Sequence, residues 1–420
     1  MKTWAAAVLA LLVALPLVAC GRTESGPTTL ALWARSDESA FLQSVVDAFN
    51  RTHTGIKVRM TLIPTGNFVQ KFGLAVAGDA GPDLASIDLV YVPFFASAGV
   101  LRDITPQVRR LSYLDKLSPA HMRNAQYGSR FYALPFSGDA SVLYYNVDLF
   151  RQAGLDPDRP PTTWSRIENA ATAVKKLGGG RYGFYFSGAC GGCNVFTFAP
   201  LIWASGGDIL RGTGTSQQPS VAASPQVRQA LQFYRRLWTS GVVPPQAQTD
   251  NGANQFTPFE TGKVAMFATG AFGISTFTHD FPNLHFKVTP LPGRDGGSSS
   301  FSGGDEIAIS RTSQHPDAAW TFISWATSMR AQDRYFGAAG VAPIRTDVAL
   351  GSYSAKGATY ATLAKALVSG RAVYSVQENA LINDSTGPWT TMIADAVFGG
   401  DIDGAISRAQ KAMSNTISRG

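Results

Sequence analysis

The sequence predicts an α/β protein of two domains, and three observations carry that prediction. The chain has 420 residues, too many for one hydrophobic core even with an N-terminal leader set aside. Strand-like and helix-like stretches alternate from residue 28 onward, the order that builds a parallel sheet covered by helices. A serine- and glycine-rich stretch, Gly296 to Gly304, precedes a late strand, as a chain returning to its first domain requires.

Taken in order, Thr28 to Ala34 reads as a strand. Ser36 or Asp37 then caps a helix whose Phe41, Leu42, Val45, Val46 and Phe49 recur at helical spacing. Gly55 stops it, and Ile56 to Ile63 is a second strand. A helix over Phe68 to Ala77 ends at Gly78-Asp79, followed by short strands at Leu84 to Ile87 and Arg130 to Phe136. The second series has a strand at Ser141 to Tyr145, a helix from Trp164 to Leu177 and a strand at Tyr182 to Phe186. Ser224, with Pro225 at the first helical position, opens a helix through Leu237 that Gly241 closes. His285 to Leu291 and Ile307 to Ile309 are strands, and Pro316 to Met329 is a helix carrying Trp320, Phe322, Ile323 and Trp325.

Composition narrows the function. Apolar residues make up 45% and charged residues 15%, which describes a folded globular chain rather than a disordered one. The formal charge of +7 is spread in short pairs such as Arg109-Arg110 and Arg235-Arg236. Neither a dense basic patch nor a stacking platform is present, so nucleic acid is not an expected partner. The five histidines are scattered without ligand spacing, and neither metal nor cofactor is expected. No nucleophile elbow, zinc-protease helix or phosphate loop occurs, which argues against an enzyme. A secreted glycosidase with paired carboxylates is the rival from another class.

At the N-terminus, Lys2 and the apolar run Ala5 to Ala14 form a secretory signal over residues 1–19, too short for a comfortable membrane span. Leu17-Val18-Ala19-Cys20 resembles a bacterial lipobox. That resemblance implies lipidation of Cys20, with residues 20–27 tethering the protein outside the cytoplasmic membrane. Outside the cell, Cys190 and Cys193 of Cys-Gly-Gly-Cys are expected to form a disulfide that pins a glycine-rich loop. No aromatic precedes Cys190, so a thioredoxin-like role lacks its context.

An ordered series of short motifs then runs along the chain. It includes Gly81-Pro82-Asp83-Leu84, Ala98-Gly99-Val100-Leu101-Arg102-Asp103-Ile104-Thr105, Tyr132-Ala133-Leu134-Pro135 and Leu143-Tyr144-Tyr145-Asn146. Pro161-Thr162-Thr163-Trp164, Phe259-Glu260-Thr261-Gly262-Lys263 and Pro290-Leu291-Pro292-Gly293 follow. The series resembles extracellular solute-binding protein family 1, typified by maltose- and trehalose/maltose-binding proteins. The resemblance implies the type II periplasmic-binding-protein fold, two α/β lobes closing about a hinge over a ligand cleft. Lobe one is expected to hold residues 28–137 with 305–348, and lobe two 138–304 with 349–420. It further implies a monomeric lipoprotein that captures a small carbohydrate for the transmembrane subunits of an ABC importer.

Sugars are held by polar side chains on their hydroxyls and by aromatic rings on their apolar faces. Asp37 and Asn67 stand at helix starts, where each also suits a cap. Asp88 ends a buried strand, and Asp139 follows Leu134-Pro135 at the family's offset, although Ser-Gly-Asp is also ordinary turn chemistry. Of Tyr144 and Tyr145, one is expected to face the cleft and the other the core; Tyr144 is taken as the candidate. Trp203 is a candidate for stacking, with a core position as the alternative. Phe272 and Asp305, beside Gly304, stand where relatives often carry tryptophan or another aromatic. Arg345 matches a position that often reaches the ligand, the alternative being an ion pair with Asp305 or Glu306. Glu378, Asn379 and Asn383 are further candidates. If Asp88, Asp139 and Asp305 converge, an ammonium group would relieve their repulsion, which points to an amino sugar. A glycerophosphodiester ligand would instead call for basic residues in the cleft.

Overall fold

Alternate residues of a buried strand face opposite layers, and the first sheet shows this directly. In the computed structural model, which describes residues 26–419, β1 (Thr28–Arg35) lies between β2 (Ile56–Ile63) and β3 (Leu84–Asp88), parallel to both. Helices α1 (Ser39–Thr52) and α2 (Phe68–Ala77) make the connections. Leu30 and Leu32 face a layer with Phe49 of α1, Phe322 and Ile323. Ala85 and Ile87 face the other, with Phe68 and Phe72 of α2. The segment expected to be a secretory signal, and Cys20, lie outside the described residues.

The chain leaves through β4 (Ala133–Ala140) and builds a second sheet from β5 (Val142–Asn146), β6 (Tyr182–Tyr185), β7 (Val264–Thr269) and β8 (Phe286–Thr289). It returns in β9 (Ser302–Ile309). The strand orders are β2-β1-β3-β9-β4 and β8-β5-β7-β6. Around the second sheet pack α3 (Trp164–Lys175), α4 (Gly191–Thr197), α5 (Pro225–Thr239) and α6 (Phe272–Asp280). Trp164 stacks on Phe233 at 5.0 Å and donates its indole N–H to the Pro292 carbonyl at 2.9 Å. The result is the two-lobed type II α/β fold. Among the described residues, no helix is long and apolar enough to cross a membrane.

Antiparallel β4 and β9 link the lobes, with Ala140 opposite Ser302 at one end and Ala133 opposite Ala308 at the other. Their register slips between Asp305 and Glu306. Gly304 has φ +116°, and a Cβ there would lie 2.1 Å from the Ser137 carbonyl oxygen, so this position accepts only glycine.

Several expectations change in detail. Ser36–Glu38 form a 3-10 turn, and α1 starts at Ser39 without a side-chain cap, because the Asp37 carboxylate is drawn elsewhere. The strand expected over Arg130 to Phe136 is broken. Arg130–Phe131 pairs back on Gln126–Tyr127, and β4 starts at Ala133. Ser224 caps nothing; its hydroxyl accepts the Asp208 N–H at 3.3 Å. The glycine-rich crossing is already strand from Ser302.

Candidate functional site

Parallel strands end together, and the carboxyl ends of β1 and β3 bring Arg35 and Asp88 into one neighbourhood. β9 sets Asp305 opposite Asp88 in register. Arg35 donates from one nitrogen to both Asp305 oxygens at 2.9 Å, and its other terminal nitrogen lies 3.2 Å from Asp37 and 3.9 Å from Asp88. Thr65 donates its hydroxyl to Asp37 at 3.0 Å, which draws the turn before α2 to the same rim. Beneath lies Glu38, buried, accepting from the Ser86 hydroxyl at 3.1 Å.

One guanidinium thus serves three carboxylates, those of Asp37, Asp88 and Asp305. Burial, followed by the charge of Asp305, pushes the Glu38 carboxyl well above the ordinary range. Burial also works against ionised Asp305, but the Arg35 guanidinium, bonded to both of its oxygens, outweighs it and holds that carboxyl below the ordinary range. Glu306, the next residue, is fully buried with neither carboxylate oxygen bonded, and burial raises its pKa well above the usual value.

On the crossing strand β4, Asp139 accepts backbone N–H groups from Ala140 at 2.8 Å and Ala271 at 2.6 Å. A Cβ on Gly270 would meet the other Asp139 oxygen at 2.2 Å and the Phe272 ring edge at 2.5 Å. Carboxylate and ring therefore flank the same glycine. Phe272 is 49% exposed.

Burial raises the pKa of Asp88, against the pull of Arg35, and that of Asp139, against its two N–H donors, each to about 6. A carboxyl raised in the fold holds its proton where the unfolded chain has lost it. Its contribution is full below the unfolded pKa and lost as pH rises through the folded one. The ligand-free protein should therefore gain stability as pH falls from about 7 to about 4.5. Asp305, shifted the other way, is still ionised over that window. Urea melts across this range check the sign, and a flat profile would contradict it.

Three candidates, Tyr144, Trp203 and Arg345, are taken up by other contacts. Tyr144 is fully buried among Phe259, Phe267, Phe277 and Phe286, and its hydroxyl donates to the Gly270 carbonyl at 2.6 Å. Tyr145 is buried too, donating to the Pro157 carbonyl at 2.9 Å, so neither tyrosine faces a cleft. Trp203 is covered by its own neighbours, with Phe301 stacked at 6.0 Å and the Arg371 guanidinium 5.0 Å from its ring centre. Arg345 pairs with Asp347 at 2.6 Å and lies over the Tyr113 ring at 4.6 Å, not with Asp305 or Glu306. Asn67 is exposed on the turn before α2 and makes no cap hydrogen bond.

The structure adds contacts that no motif marked. Arg35 stood at a strand end in the sequence, but its role as common partner depends on Asp305, 270 residues away. Tyr91 donates its hydroxyl to Asn379 at 3.3 Å and accepts from Asn383 at 3.1 Å, joining the turn after Asp88 to the C-terminal part. Glu378 is buried there; one oxygen accepts from Asn383 at 2.9 Å and the other has no partner. Two shallow depressions, one with Asn146, Arg181 and Glu260 and another with Arg151, Phe281 and Lys287, lie at the end of the second sheet remote from Val142 and Thr269.

A two-lobed α/β fold with polar side chains gathered at strand ends beside the crossing strands defines the binding-protein class. The chain belongs to the bacterial extracellular solute-binding protein family, whose model matches residues 33–333. It is 26% identical over 358 residues to the mannitol-binding protein of Pseudomonas aeruginosa, covering 83% of this chain and 79% of that one. Among solved structures it superposes with an ABC transporter solute-binding protein from Thermotoga lettingae bound with α-D-tagatose. The TM-score is 0.81 at 24% identity, over 93% of this chain and 100% of that one. The cyclic α-maltosyl-1,6-maltose binding protein from Arthrobacter globiformis also gives a TM-score of 0.81, at 23% identity over 94% of this chain and 100% of that one.

Proposed function

We propose that this protein is the lipid-anchored capture subunit of an ABC importer and binds a small carbohydrate or sugar alcohol between its lobes. The observation that carries this reading is the pairing of Asp139 with the exposed Phe272 ring about Gly270, on the crossing strand β4 that pairs with β9, the strand of Asp305. The carboxylate accepts hydroxyl hydrogens while the ring packs on a C–H face of the sugar. Nothing is cleaved: ligand contacts both lobes and stabilises the closed arrangement, which the permease subunits then engage. Cys20 carries the lipid, the Cys190–Cys193 pair is oxidised outside the cell, and the protein works as a monomer.

An amino sugar is the second reading, favoured by one observation. Asp305 is already neutralised by Arg35, but Asp139 has no cation partner among the described residues. A phosphodiester is disfavoured because Arg35 is committed to carboxylates. A thermal-shift screen with mannitol, tagatose, maltotriose, glucosamine and glycerophosphocholine tests all three, since a ligand of the folded state raises the melting temperature. A shift with glucosamine alone selects the second reading, and a shift with glycerophosphocholine alone overturns both.

Phe272→Ala should weaken binding of the shifting sugar about tenfold, the worth of one aromatic contact of about 1.5 kcal/mol. Stability should change by less than about 0.5 kcal/mol, as for other exposed positions. Calorimetry paired with urea melts reads both. Unchanged affinity would remove Phe272 from the site.

A further inference from the structure

The Cys190-Gly-Gly-Cys193 turn is the one sequence motif that ligand capture leaves without a task, and its surroundings suggest one. The two sulfurs are joined, with Cα atoms 5.3 Å apart. A Cβ on Gly191 would lie 2.3 Å from the Ile382 carbonyl oxygen, and one on Gly192 would lie 3.1 Å from the Asn383 side-chain oxygen. The glycines thus let the turn press directly on residues 382–383. On its other side both sulfurs abut Gly252, where a Cβ would meet them at 2.8 Å and 3.1 Å. Asp250 holds that loop by accepting from the N–H groups of Gly252 at 3.1 Å and Asn254 at 3.3 Å.

Asn383, braced this way, donates to the Tyr91 hydroxyl at 3.1 Å and to Glu378 at 2.9 Å, and Tyr91 donates onward to Asn379 at 3.3 Å. Tyr91 belongs to the lobe of the first sheet, three residues beyond Asp88, whereas the turn follows β6 of the second. A continuous path of contacts therefore runs from Asp250 through the cysteine turn and Asn383 to the end of β3.

We propose that the cysteine turn and Tyr91 act as one positioning device: the turn fixes Asn383, Asn383 fixes Tyr91, and the clasp narrows the range of inter-lobe angles in the ligand-free protein. A clasp of this kind sets the fraction of molecules already arranged to bind, and so scales the apparent affinity. The inference rests on the cysteine pairing proposed above but not on the identity of the ligand.

Hydrogen exchange on the ligand-free protein tests it. Tyr91→Phe should speed exchange of residues 89–97 by roughly fivefold or more, the effect of losing both hydrogen bonds of its hydroxyl in a local opening. Cys190→Ser/Cys193→Ser, altered in the other lobe, should speed the same residues. The combined variant should be no faster than either, because both cut one path. Unchanged exchange at 89–97 in the cysteine variant, or effects that multiply when combined, would overturn the proposal. Asn383→Ala paired with Tyr91→Phe makes the same test if the cysteine variant does not fold. Because no ligand is present, a negative result leaves the carbohydrate reading untouched.

Discussion

Replacing Arg35 with methionine is expected to lower the unfolding free energy by about 3–5 kcal/mol at pH 7.5, the cost of removing one partner from a buried charged group. The reason is the count of carboxylates that lose their cation. Asp305 is 3% exposed at its side chain and takes both oxygens' hydrogen bonds from Arg35, while Asp88 and Asp37 flank the same guanidinium. Without it buried Asp305 faces Asp88 with no cation between them, and their pKa values rise. The folded variant then binds more protons than its unfolded chain, so its deficit should shrink as pH falls towards 4.5. Urea melts at pH 7.5 and pH 5 check both claims. A loss under about 1 kcal/mol at the higher pH would mean that water already screens the group. Lysine in place of arginine should restore only part of the loss, since a point charge cannot reproduce the planar fork.

Gly304→Ala is expected to cost at least about 3 kcal/mol, combining a disfavoured backbone conformation with a collision that cannot relax locally. The new methyl would meet the carbonyl oxygen of Ser137 at 2.1 Å and the Cα of Gly138 at 3.0 Å, both on the partner strand between the lobes. β4 and β9 would have to part where the chain crosses. Gly296 supplies the control: its φ of +118° is nearly that of Gly304 at +116°, but no atom lies within 4 Å of its added Cβ. Gly296→Ala should therefore show the backbone term alone, about 1–2 kcal/mol. Melting temperatures of the two variants separate the terms. Equal losses would show that the crossing strands yield freely.

Much of the fold was legible because its signals are local. The helix expected over Phe68 to Ala77 is α2 to the residue, since an apolar stripe and Gly78 bound it on both sides. The buried strand at Leu84 to Ile87 is β3, which runs one residue further to Asp88. The break before Ala133 was not legible, because hairpin pairing of Arg130–Phe131 with Gln126–Tyr127 competes with strand continuation only in three dimensions.

The candidate site divides in the same way. Asp88 was marked by the end of its strand and Asp139 by the family's offset after Leu134-Pro135, each a property of the chain in its own vicinity. Tyr144, Trp203 and Arg345 carried equally suitable chemistry, yet the packed lobes cover Tyr144 with phenylalanines, Trp203 with Phe301 and Arg371, and pair Arg345 with Asp347. Residue type says what a side chain can bind; only packing says whether ligand or protein occupies its contacts.

By itself, then, the sequence determined the alternation of strands and helices, the two-lobed class and the residue types available for a polar ligand, because periodicity, turn chemistry and motif order act over short spans. The tertiary structure decided which acids share Arg35, that Phe272 stays exposed while Tyr144 and Trp203 are covered, and which C-terminal amides reach Tyr91. Those outcomes depend on contacts between residues as far apart as Arg35 and Asp305, whose meeting is set by strand register and crossing geometry rather than by any local preference.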